Sequence, residues 1–367
     1  MALKDFSTSE EATCAGEARR GRNHVPSPTA ATNKGLLLMR SRLIFAALLG
    51  IAVLAACTST GTALNPPSGI SGQRASHLVV TDVVNNSVLT FPATANGSVA
   101  PTSSLTGGST GLIQPEGFFI NSTRTNVWVG NYNSGSNGTI TEYALGASGN
   151  TAPSVTLGGG STTLQGPAGI YVDSSGTIYV ADYDNSAVDI FSPGTTTQAP
   201  LRQIKGGSTG FGTPTGVWLD AGGNIWVGTE NGSVEEFAPS ANGNVAPINT
   251  ISGSNTVLGY VMGVVFDSHG NLWVADAYNG IGASIEEFAP GATGNATPTR
   301  IITGASTLLD LPNGIAVDGA GYIYVGDYGA AAVYVFAPSA NGNVAPIQTI
   351  PANGTTGITK PIGVLVY

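Results

Sequence analysis

The sequence is poor in cysteine and in charged side chains. Only two of its 367 residues are cysteine, and 10% are Asp, Glu, Lys or Arg. Cys14 lies in an N-terminal stretch that we interpret below as a leader, so processing would leave Cys57 alone. A disulfide framework and a catalytic thiol are therefore both excluded, and the folded part must be held together by packing.

Basic residues are especially scarce from Cys57 onward. This part of the chain has 6 Lys and Arg against 18 Asp and Glu, a net charge of 6 − 18 = −12. An acidic surface repels phosphate backbones, which excludes nucleic acid as a partner. Glycine is abundant instead, with 52 residues, and the apolar residues follow a regular pattern. These features are typical of an all-β protein with many turns rather than of a disordered chain.

The first 56 residues contain targeting information rather than a domain. Residues 1–38 have a basic patch and no sustained apolar period, and we interpret them as an unstructured leader or a misassigned start. Residues 39–56 have an arginine-flanked start and an apolar stretch too short for a comfortable membrane span, which indicates a signal peptide. An uncleaved anchor with an incidental cysteine is the alternative.

The end of this signal, Leu54-Ala-Ala-Cys57, resembles the lipobox of bacterial lipoproteins. That resemblance implies that Cys57 is acylated and becomes the mature N-terminus. Thr58 rather than Asp follows the cysteine, which by the same resemblance favours the outer membrane if the organism has two. Residues 57–76 are rich in Ser, Thr, Gly and Pro, and we expect them to form a lipidated flexible tether.

One pattern recurs through residues 77–367. It consists of Pro-x-Gly, a β-branched run, a turn with Asp and Gly, and a second run with an aromatic residue, as in Pro312–Asp327. Each copy predicts two strands and a tight turn. The pattern glycines are 47 to 52 residues apart, a period that is typical of a propeller blade when it contains strands and no helix. They are Gly117, Gly169, Gly216, Gly263, Gly314 and Gly363.

A second half-repeat completes each blade. It has a strand that ends in an aromatic residue, a loop that often contains Asn-Gly, and a short edge strand after a proline. The final copy stops at Tyr367 after one strand, and the missing three strands are found at residues 77–105. The sequence therefore predicts an all-β, six-bladed β-propeller of four-stranded antiparallel blades. We expect the C-terminal strand to pair with residues 77–81 and close the ring.

The Pro-x-Gly pattern resembles the NHL repeat over nearly all of residues 77–367. The resemblance implies the propeller fold, but this superfamily contains both enzymes and binding modules. The Arg or Lys usual near the third strand of NHL repeats is absent here, as Asn185–Val188 and Gly232–Glu235 show. This departure removes the basic face by which some members bind RNA.

The residue between Pro and Gly is expected at the mouth of the central channel. In gluconolactonase-like propellers, which this chain resembles, the position supplies Glu, Asn and Asp to one divalent metal. Glu116 and Asn313 match, but none of the six positions has an Asp, and two oxygen ligands beside Met and Ile suit a hard cation poorly. We expect no metal and no cofactor, and turn caps at Glu116 and Asn313. The six residues are Glu116, Ala168, Thr215, Met262, Asn313 and Ile362.

Streptogramin-lyase propellers, which the chain also resembles, would need a histidine base. After Cys57 the sequence has only His77, at the start of a strand, and His269, in a turn on the face away from the mouth. No base and nucleophile pair is visible, so we predict no catalytic residue. Aspartates that end the second strands are expected to tie down turns. These are Asp82, Asp182, Asp276 and Asp327.

Aromatic residues follow the second strands on the same face as the mouth. Tyrosines around a shallow acidic mouth can stack on sugars or contact peptides. Alternatively, each ring covers its neighbouring blade. The set is Tyr132, Tyr183, Glu230, Tyr278 and Tyr328, and together with Glu116, Thr215 and Asn313 it forms the candidate ligand-binding residues.

The sequence thus predicts an exported monomer, lipid-anchored through Cys57 to the cell envelope on its periplasmic or outer-membrane side. Its first expected partner is the membrane, and its propeller is expected to bind or scaffold a protein, peptide or carbohydrate. The alternative function is an extracytoplasmic enzyme of the lactonase or lyase type. A divalent ion at Glu116 and Asn313 would favour the enzyme, and an apolar mouth would favour binding.

Overall fold

The computed structural model describes residues 72–133 and 137–367. The predicted leader, signal peptide and lipid attachment residue Cys57 lie outside the described residues. Within them, a single 3-10 turn at Ala305–Thr307 accompanies the strands. No helix in this part of the chain is long and apolar enough to cross a membrane.

Twenty-four strands form six four-stranded antiparallel sheets across the described residues, each sheet a blade. The first half of the strands, in chain order, is β1 (His77–Asp82), β2 (Ser87–Pro92), β3 (Ser103–Leu105), β4 (Pro115–Ile120), β5 (Asn126–Asn131), β6 (Thr139–Ala144), β7 (Val155–Gly158), β8 (Pro167–Val172), β9 (Ile178–Asp182), β10 (Ala187–Phe191), β11 (Arg202–Lys205) and β12 (Pro214–Leu219). The second half is β13 (Ile225–Thr229), β14 (Ser233–Phe237), β15 (Asn249–Ile251), β16 (Val261–Phe266), β17 (Leu272–Asn279), β18 (Gly282–Phe288), β19 (Arg300–Thr303), β20 (Pro312–Val317), β21 (Ile323–Asp327), β22 (Ala332–Phe336), β23 (Gln348–Pro351) and β24 (Pro361–Val366).

The blades follow the sequence repeat. Blades 1 to 5 contain β4–β7, β8–β11, β12–β15, β16–β19 and β20–β23, and blade 6 has the strand order β24-β1-β2-β3. In every blade the strand that begins with Pro, or with Val261 in blade 4, is innermost. The six-bladed propeller predicted from the sequence is confirmed.

The ring closes through strands from both ends of the repeat region. Leu78 pairs with Val366 and Val80 with Val364 in antiparallel register. The His77 ring stacks on Tyr367 with centroids 4.7 Å apart. Val366 is fully buried, so the last strand is an integral part of the packed core. Closure by the C-terminal strand is therefore confirmed.

The core lies between adjacent blades and includes the aromatic residue that ends each third strand. Each of these six rings has at most 1% of its surface exposed, so the second half-repeat supplies one large buried side chain to every blade. They are Phe91, Tyr143, Phe191, Phe237, Phe288 and Phe336.

Neighbouring blades approach most closely at the pattern glycines. A Cβ added to Gly117 would lie 2.0 Å from the carbonyl oxygen of Ala168, and one on Gly314 would lie 2.4 Å from that of Ile362. At the closing blade, a Cβ on Gly363 would lie 2.6 Å from the carbonyl oxygen of Glu116. No side chain fits at these distances, so the inner strands can meet around the channel only where the residue is glycine.

Each inner strand is also irregular at the Pro-x-Gly segment. The register with the second strand shifts there in all six blades. Such an irregularity re-aims a side chain. Here it directs the middle residue of each Pro-x-Gly into the central channel.

The aspartates at the ends of the second strands hold backbone in place. Asp182 Oδ1 accepts a hydrogen bond from the Gly166 amide at 2.6 Å, and Asp327 Oδ1 accepts one from the Leu311 amide at 3.0 Å. Both amides belong to the loop that leads into the inner strand of the same blade. The predicted structural role is confirmed, and it extends to this preceding loop as well as to the following turn.

The Asn-Gly loops join the outer rims of adjacent blades. The Gly243 amide donates to the Gln203 carbonyl at 2.7 Å, and the Gln203 amide donates to Asn242 Oδ1 at 3.2 Å. Gly243 has φ 73°, a conformation that favours glycine. The same type of contact links Gly342 to Ile301. The loops therefore hold adjacent blades together at the outer rim, as the close contacts at the pattern glycines do around the channel.

The folded domain begins before residue 77. Ala75 is buried, and its amide donates to Asp318 Oδ2 at 3.0 Å. The Arg74 guanidinium lies 4.1 Å from the Tyr322 ring centroid. Asp318 and Tyr322 flank the turn on the face opposite the Pro-x-Gly mouth. Residues 72–76, assigned to the tether from the sequence, thus pack on the propeller.

Candidate ligand-binding mouth

The central channel opens on the Pro-x-Gly face into a cavity of about 370 Å³. All six middle residues of the Pro-x-Gly segments line this cavity. Farther along the inner strands its wall consists of glycines and apolar side chains, including Val217, Val264 and Ile315. The mouth is therefore a ring of three polar and three apolar residues above an apolar channel.

Two of the ring residues offer polar groups to the channel. In the described part of the chain, neither the Glu116 carboxyl nor the Asn313 amide is hydrogen-bonded to a turn, because the register shifts direct both side chains into the cavity. The expectation that they cap turns is therefore wrong. Thr215 differs, since its Oγ1 lies 2.9 Å from the Gly228 carbonyl and 2.8 Å from that of Val261. Its hydroxyl therefore takes part in a hydrogen bond between blades 3 and 4.

Glu116 is held in an unusual protonation state. Burial raises its pKa to about 8, and the nearby Asp184 carboxylate adds to the increase. Near neutral pH the group is then mostly an uncharged carboxylic acid that can donate a hydrogen bond. In this state the group can both donate and accept a hydrogen bond toward the channel.

Tyrosines and acids form a chain across blades 1 to 3. Tyr132 Oη donates to Asp184 Oδ1 at 3.1 Å, and Tyr183 Oη donates to Glu230 Oε1 at 2.5 Å. Burial, with the hydrogen-bonded Asp184 second, raises the pKa of Tyr132 to about 12, and burial followed by Glu230 raises that of Tyr183 further. These hydroxyls stay protonated and tie adjacent blades together. The main role of Tyr132, Tyr183 and Glu230 is therefore to form hydrogen bonds between adjacent blades.

Tyr278 and Tyr328 lie on the other side of the mouth and are open to solvent. Tyr278 is 73% exposed and Tyr328 is 38% exposed, with Lys360 Nζ 4.7 Å from the Tyr328 ring centroid. Tyr278 lies inside β17 rather than in a loop, because an irregular pairing near Asn279 extends the strand. Both rings are available to a ligand.

A wider vestibule of about 910 Å³ lies over the ring. Its lining includes five of the ten exposed large hydrophobic side chains in the described residues. Sequence reasoning missed three of these five and also missed Tyr260. Three of the four missed residues lie one or two positions before Pro-x-Gly or its blade 4 counterpart. Aligning the blade sequences would have shown this shared position. The missed vestibule residues are Val84, Ile113, Tyr260 and Leu311.

The mouth does not present a metal-ligand set. Glu116 and Asn313 flank the apolar Ile362 in blade order, and no third acid or histidine joins them in the ring. Across the described residues, no three His, Cys, Asp or Glu side chains are grouped so as to hold a metal. His77 stacks on Tyr367 at the far end of the inner strand, and His269 lies in the turn that follows Phe266. The donor set implied by lactonase-like propellers therefore does not fit here.

Comparison with known proteins supports the fold. Residues 164–191, which cover the three inner strands of blade 2, match the NHL repeat. No curated protein sequence matches the chain.

Solved structures with similar folds are distant in sequence. A candidate 6-phosphogluconolactonase from Bacteroides uniformis is 13% identical with a TM-score of 0.52, covering 77% of this chain and 84% of its own. One from Bacteroides fragilis is 14% identical with a TM-score of 0.50, covering 76% and 82%. A protein of unknown function from Bacteroides caccae is 11% identical with a TM-score of 0.55, covering 79% and 98%. Structural similarity at identities this low establishes the propeller architecture, but it does not establish a shared activity.

Carboxyl groups buried inside the blades were also missed from the sequence. Asp189 and Glu235 are almost fully buried on third strands, and burial raises the pKa of each to about 7. Glu286 is fully buried, and its pKa is raised mainly by burial and then by Asp276. The signal was an acid within an apolar third strand, as in Ser233-Val-Glu235.

These groups predict a protein that is more stable in mild acid than in mild alkali. A carboxyl whose pKa is raised by folding stabilises the folded state fully below its unfolded pKa, near 4, and loses that contribution as pH rises through about 7. We expect the free energy of unfolding, measured by urea denaturation, to fall by a few kcal/mol between pH 5 and pH 8, at about 1.4 kcal/mol per pKa unit. Glu235→Gln should flatten this dependence. A stability that rises from pH 5 to pH 8 would contradict the assignment.

Proposed function

We propose that this protein is an exported lipoprotein of the cell envelope whose propeller mouth binds an apolar peptide segment of a protein partner. The observation that carries the proposal is the collection of exposed apolar side chains around one opening. Val84, Ile113 and Leu311 are 55%, 46% and 39% exposed, and all line the vestibule. Soluble monomers rarely leave such a patch uncovered unless something binds there.

The chemistry of the lining favours a peptide over a sugar. Four tyrosines and four amide or carboxyl residues line the vestibule, but its aliphatic side chains, such as Val84, Ile113 and Leu311, outnumber either group. Below them, the neutral Glu116 carboxyl can donate a hydrogen bond, and the Asn313 amide can both donate and accept. These groups complement the main-chain amides of an inserted segment.

The route of the chain is compatible with a membrane anchor. The described chain enters at Gly72, whose amide donates to the Gly319 carbonyl on the face opposite the mouth. A lipid on Cys57 would lie fifteen residues before that point, and a chain of that length with this Ser-, Thr-, Gly- and Pro-rich sequence would span roughly 20 Å. Such an anchor would leave the mouth directed away from the bilayer and open to partners.

One observation favours the enzyme alternative. A carboxyl with a raised pKa inside a cleft is a frequent property of catalytic acids, and Glu116 is such a group. However, no group of ligands for a metal surrounds it in the described residues, and the two described histidines, His77 and His269, lie away from the mouth. We therefore rank lactonase or lyase activity second.

The anchor proposal predicts a change of location for one variant. Wild-type protein should fractionate with membranes and have the intact mass of a chain that starts at an acylated Cys57. Cys57→Ser removes the acylation site, so the protein should become soluble or keep its signal uncleaved. A wild-type chain that is unacylated and still begins at Met1 would contradict the proposal.

The mouth proposal predicts position-specific crosslinking in cells. A photo-reactive phenylalanine analogue at Tyr278 should form covalent adducts with a protein partner, whereas the same analogue at Ile347, an exposed apolar residue on the outer rim, should not. Adding Ile113→Ser and Leu311→Ser should abolish the adducts with little loss of stability, because both side chains are exposed.

The control outcomes separate the two functions. Equal adducts from positions 278 and 347 would contradict a partner at the mouth. Hydrolysis of a lactone that is lost in Glu116→Gln, without protein adducts, would support the enzyme alternative instead.

A further inference from the structure

A cation seat recurs between blades on the face opposite the mouth. In blade 4 the Arg300 guanidinium lies 4.4 Å from the Trp273 ring centroid, and its Nη2 donates to Glu287 Oε1 at 2.9 Å. Its Nη1 donates to the Pro338 carbonyl of blade 5 at 2.6 Å. Strand pairing places Trp273, Glu287 and Arg300 side by side on the second, third and fourth strands. The seat therefore combines an aromatic face, a carboxylate and a backbone carbonyl.

Blade 5 also has a guanidinium at this place, but its surroundings differ, because Val335 stands where blade 4 has Glu287 and the ring below the guanidinium is Tyr322. Gln348 occupies the fourth-strand position, and the guanidinium comes instead from Arg74, outside the blade. Arg74 lies over the Tyr322 ring, and its Nη2 donates to the Ala93 carbonyl at 3.3 Å. In blade 5 this place therefore accepts a guanidinium from a residue outside the blade's own sheet.

Blade 2 fills the equivalent position from its own fourth strand. Arg202 lies opposite Ile190 in the sheet, and its Nη1 donates to the Ala241 carbonyl of blade 3 at 2.8 Å. The guanidinium again bridges to the backbone of the next blade. An arginine therefore occupies this position in three of the six blades, namely 2, 4 and 5.

Blade 3 has the aromatic residue and the carboxylate but no cation. Trp226 pairs with Glu236, which pairs with Asn249 where blade 4 has Arg300. Asn249 is too short to reach over the ring, and its Nδ2 donates to the Ala292 carbonyl at 3.1 Å. A cavity of about 340 Å³ remains, lined by Trp226, Glu236 and Asn249.

Blade 1 repeats this arrangement on a smaller scale. Trp128 pairs with Glu142, which pairs with Val155 in the arginine position, and a cavity of about 210 Å³ lies there. Both blades that combine Trp and Glu without arginine therefore have a cavity at this place. The cavities follow from the missing guanidinium.

The blade 3 cavity is electrostatically prepared for a cation. Asn224 Nδ2 donates to Glu236 Oε1 at 2.8 Å, and Trp226 Nε1 donates to Asp220 Oδ2 at 3.1 Å, which fixes both the carboxylate and the ring. Burial, with the nearby Asp220 carboxylate, raises the pKa of Glu236, and the hydrogen bond from Asn224 opposes this increase. Asp267 lines the same cavity, and no Lys or Arg does.

We propose that the cavity between blades 3 and 4 binds a guanidinium cation, supplied by a free guanidino compound or by an arginine side chain of a partner, in the place that Arg300 occupies in blade 4. The blade 1 cavity is a smaller seat of the same type. This site lies on the face opposite the mouth, so it is independent of the peptide site proposed above.

Tryptophan indole resonances test this directly, because each seat has its own ring. On titration of the full chain with N-methylguanidinium, the Trp226 indole N–H signal should move, and Trp273, already covered by Arg300, should not. Neutral N-methylurea, of the same shape, should move neither. A Trp226 signal that responds equally to both compounds, or to neither, would overturn the proposal.

Two reciprocal variants keep the test independent of folding defects. Asn249→Arg should fill the seat, raise the melting temperature and weaken N-methylguanidinium binding at least tenfold. Arg300→Asn should open a seat in blade 4, so that the Trp273 signal begins to respond and the lost melting temperature is partly restored by N-methylguanidinium. Unchanged binding in Asn249→Arg would contradict the site.

The source of the cation is distinguished by a second titration. A capped Gly-Arg-Gly peptide that moves the Trp226 signal as strongly as N-methylguanidinium would indicate an arginine of a partner. Response to the small cation alone would indicate a free guanidino compound. Glu236→Gln should weaken either one at least tenfold, and a variant that binds both unchanged would argue against the carboxylate seat.

Discussion

The inner strands of adjacent blades meet at a distance that leaves no room for a β carbon. At Gly117, Gly314 and Gly363 an added Cβ would lie 2.0, 2.4 and 2.6 Å from a carbonyl oxygen of the next blade. This contact fixes how tightly the blades pack, and closed packing lets the ring bury its aromatic layer without a disulfide among the described residues. The same contact joins the closing blade to blade 1, where Gly363 of β24 meets the Glu116 carbonyl of β4, so the last blade packs in the same way as blades 1 and 5.

The candidate site is a consequence of that contact. Because the glycine must touch the next blade, the residue before it is displaced by a register shift and turns into the channel. Not every ring residue is available to a ligand, since Thr215 bonds across blades and Ile362 is buried. Glu116 and Asn313 can face a ligand because of the register shift, and the loops above them, held by Asp182, Asp327 and their equivalents, set the apolar vestibule in place.

The repeat in the sequence predicted the fold and the ring of the mouth, because glycine spacing records a steric requirement that no other residue meets. It did not predict the vestibule, since Ile113 and Leu311 precede the repeat pattern and their exposure depends on how loops from several blades converge. Nor did it predict that Arg74 belongs to the domain, because its partners Tyr322 and Gln348 are about 250 residues away in the chain. Contacts between residues that are far apart in the sequence depend on how the ring closes, and no local sequence pattern contains that information.

The most direct test of this account compares two glycine substitutions. Gly314→Ala places a methyl group 2.4 Å from the Ile362 carbonyl, whereas Gly354→Ala places one in open space. We expect Gly314→Ala to lower the free energy of unfolding, measured by urea denaturation, by about 1–3 kcal/mol or more, as overpacking of a close contact does. Gly354→Ala should change it by no more than about 0.5 kcal/mol. Equal stability of the two variants would contradict the claim that close approach at these glycines holds the ring together.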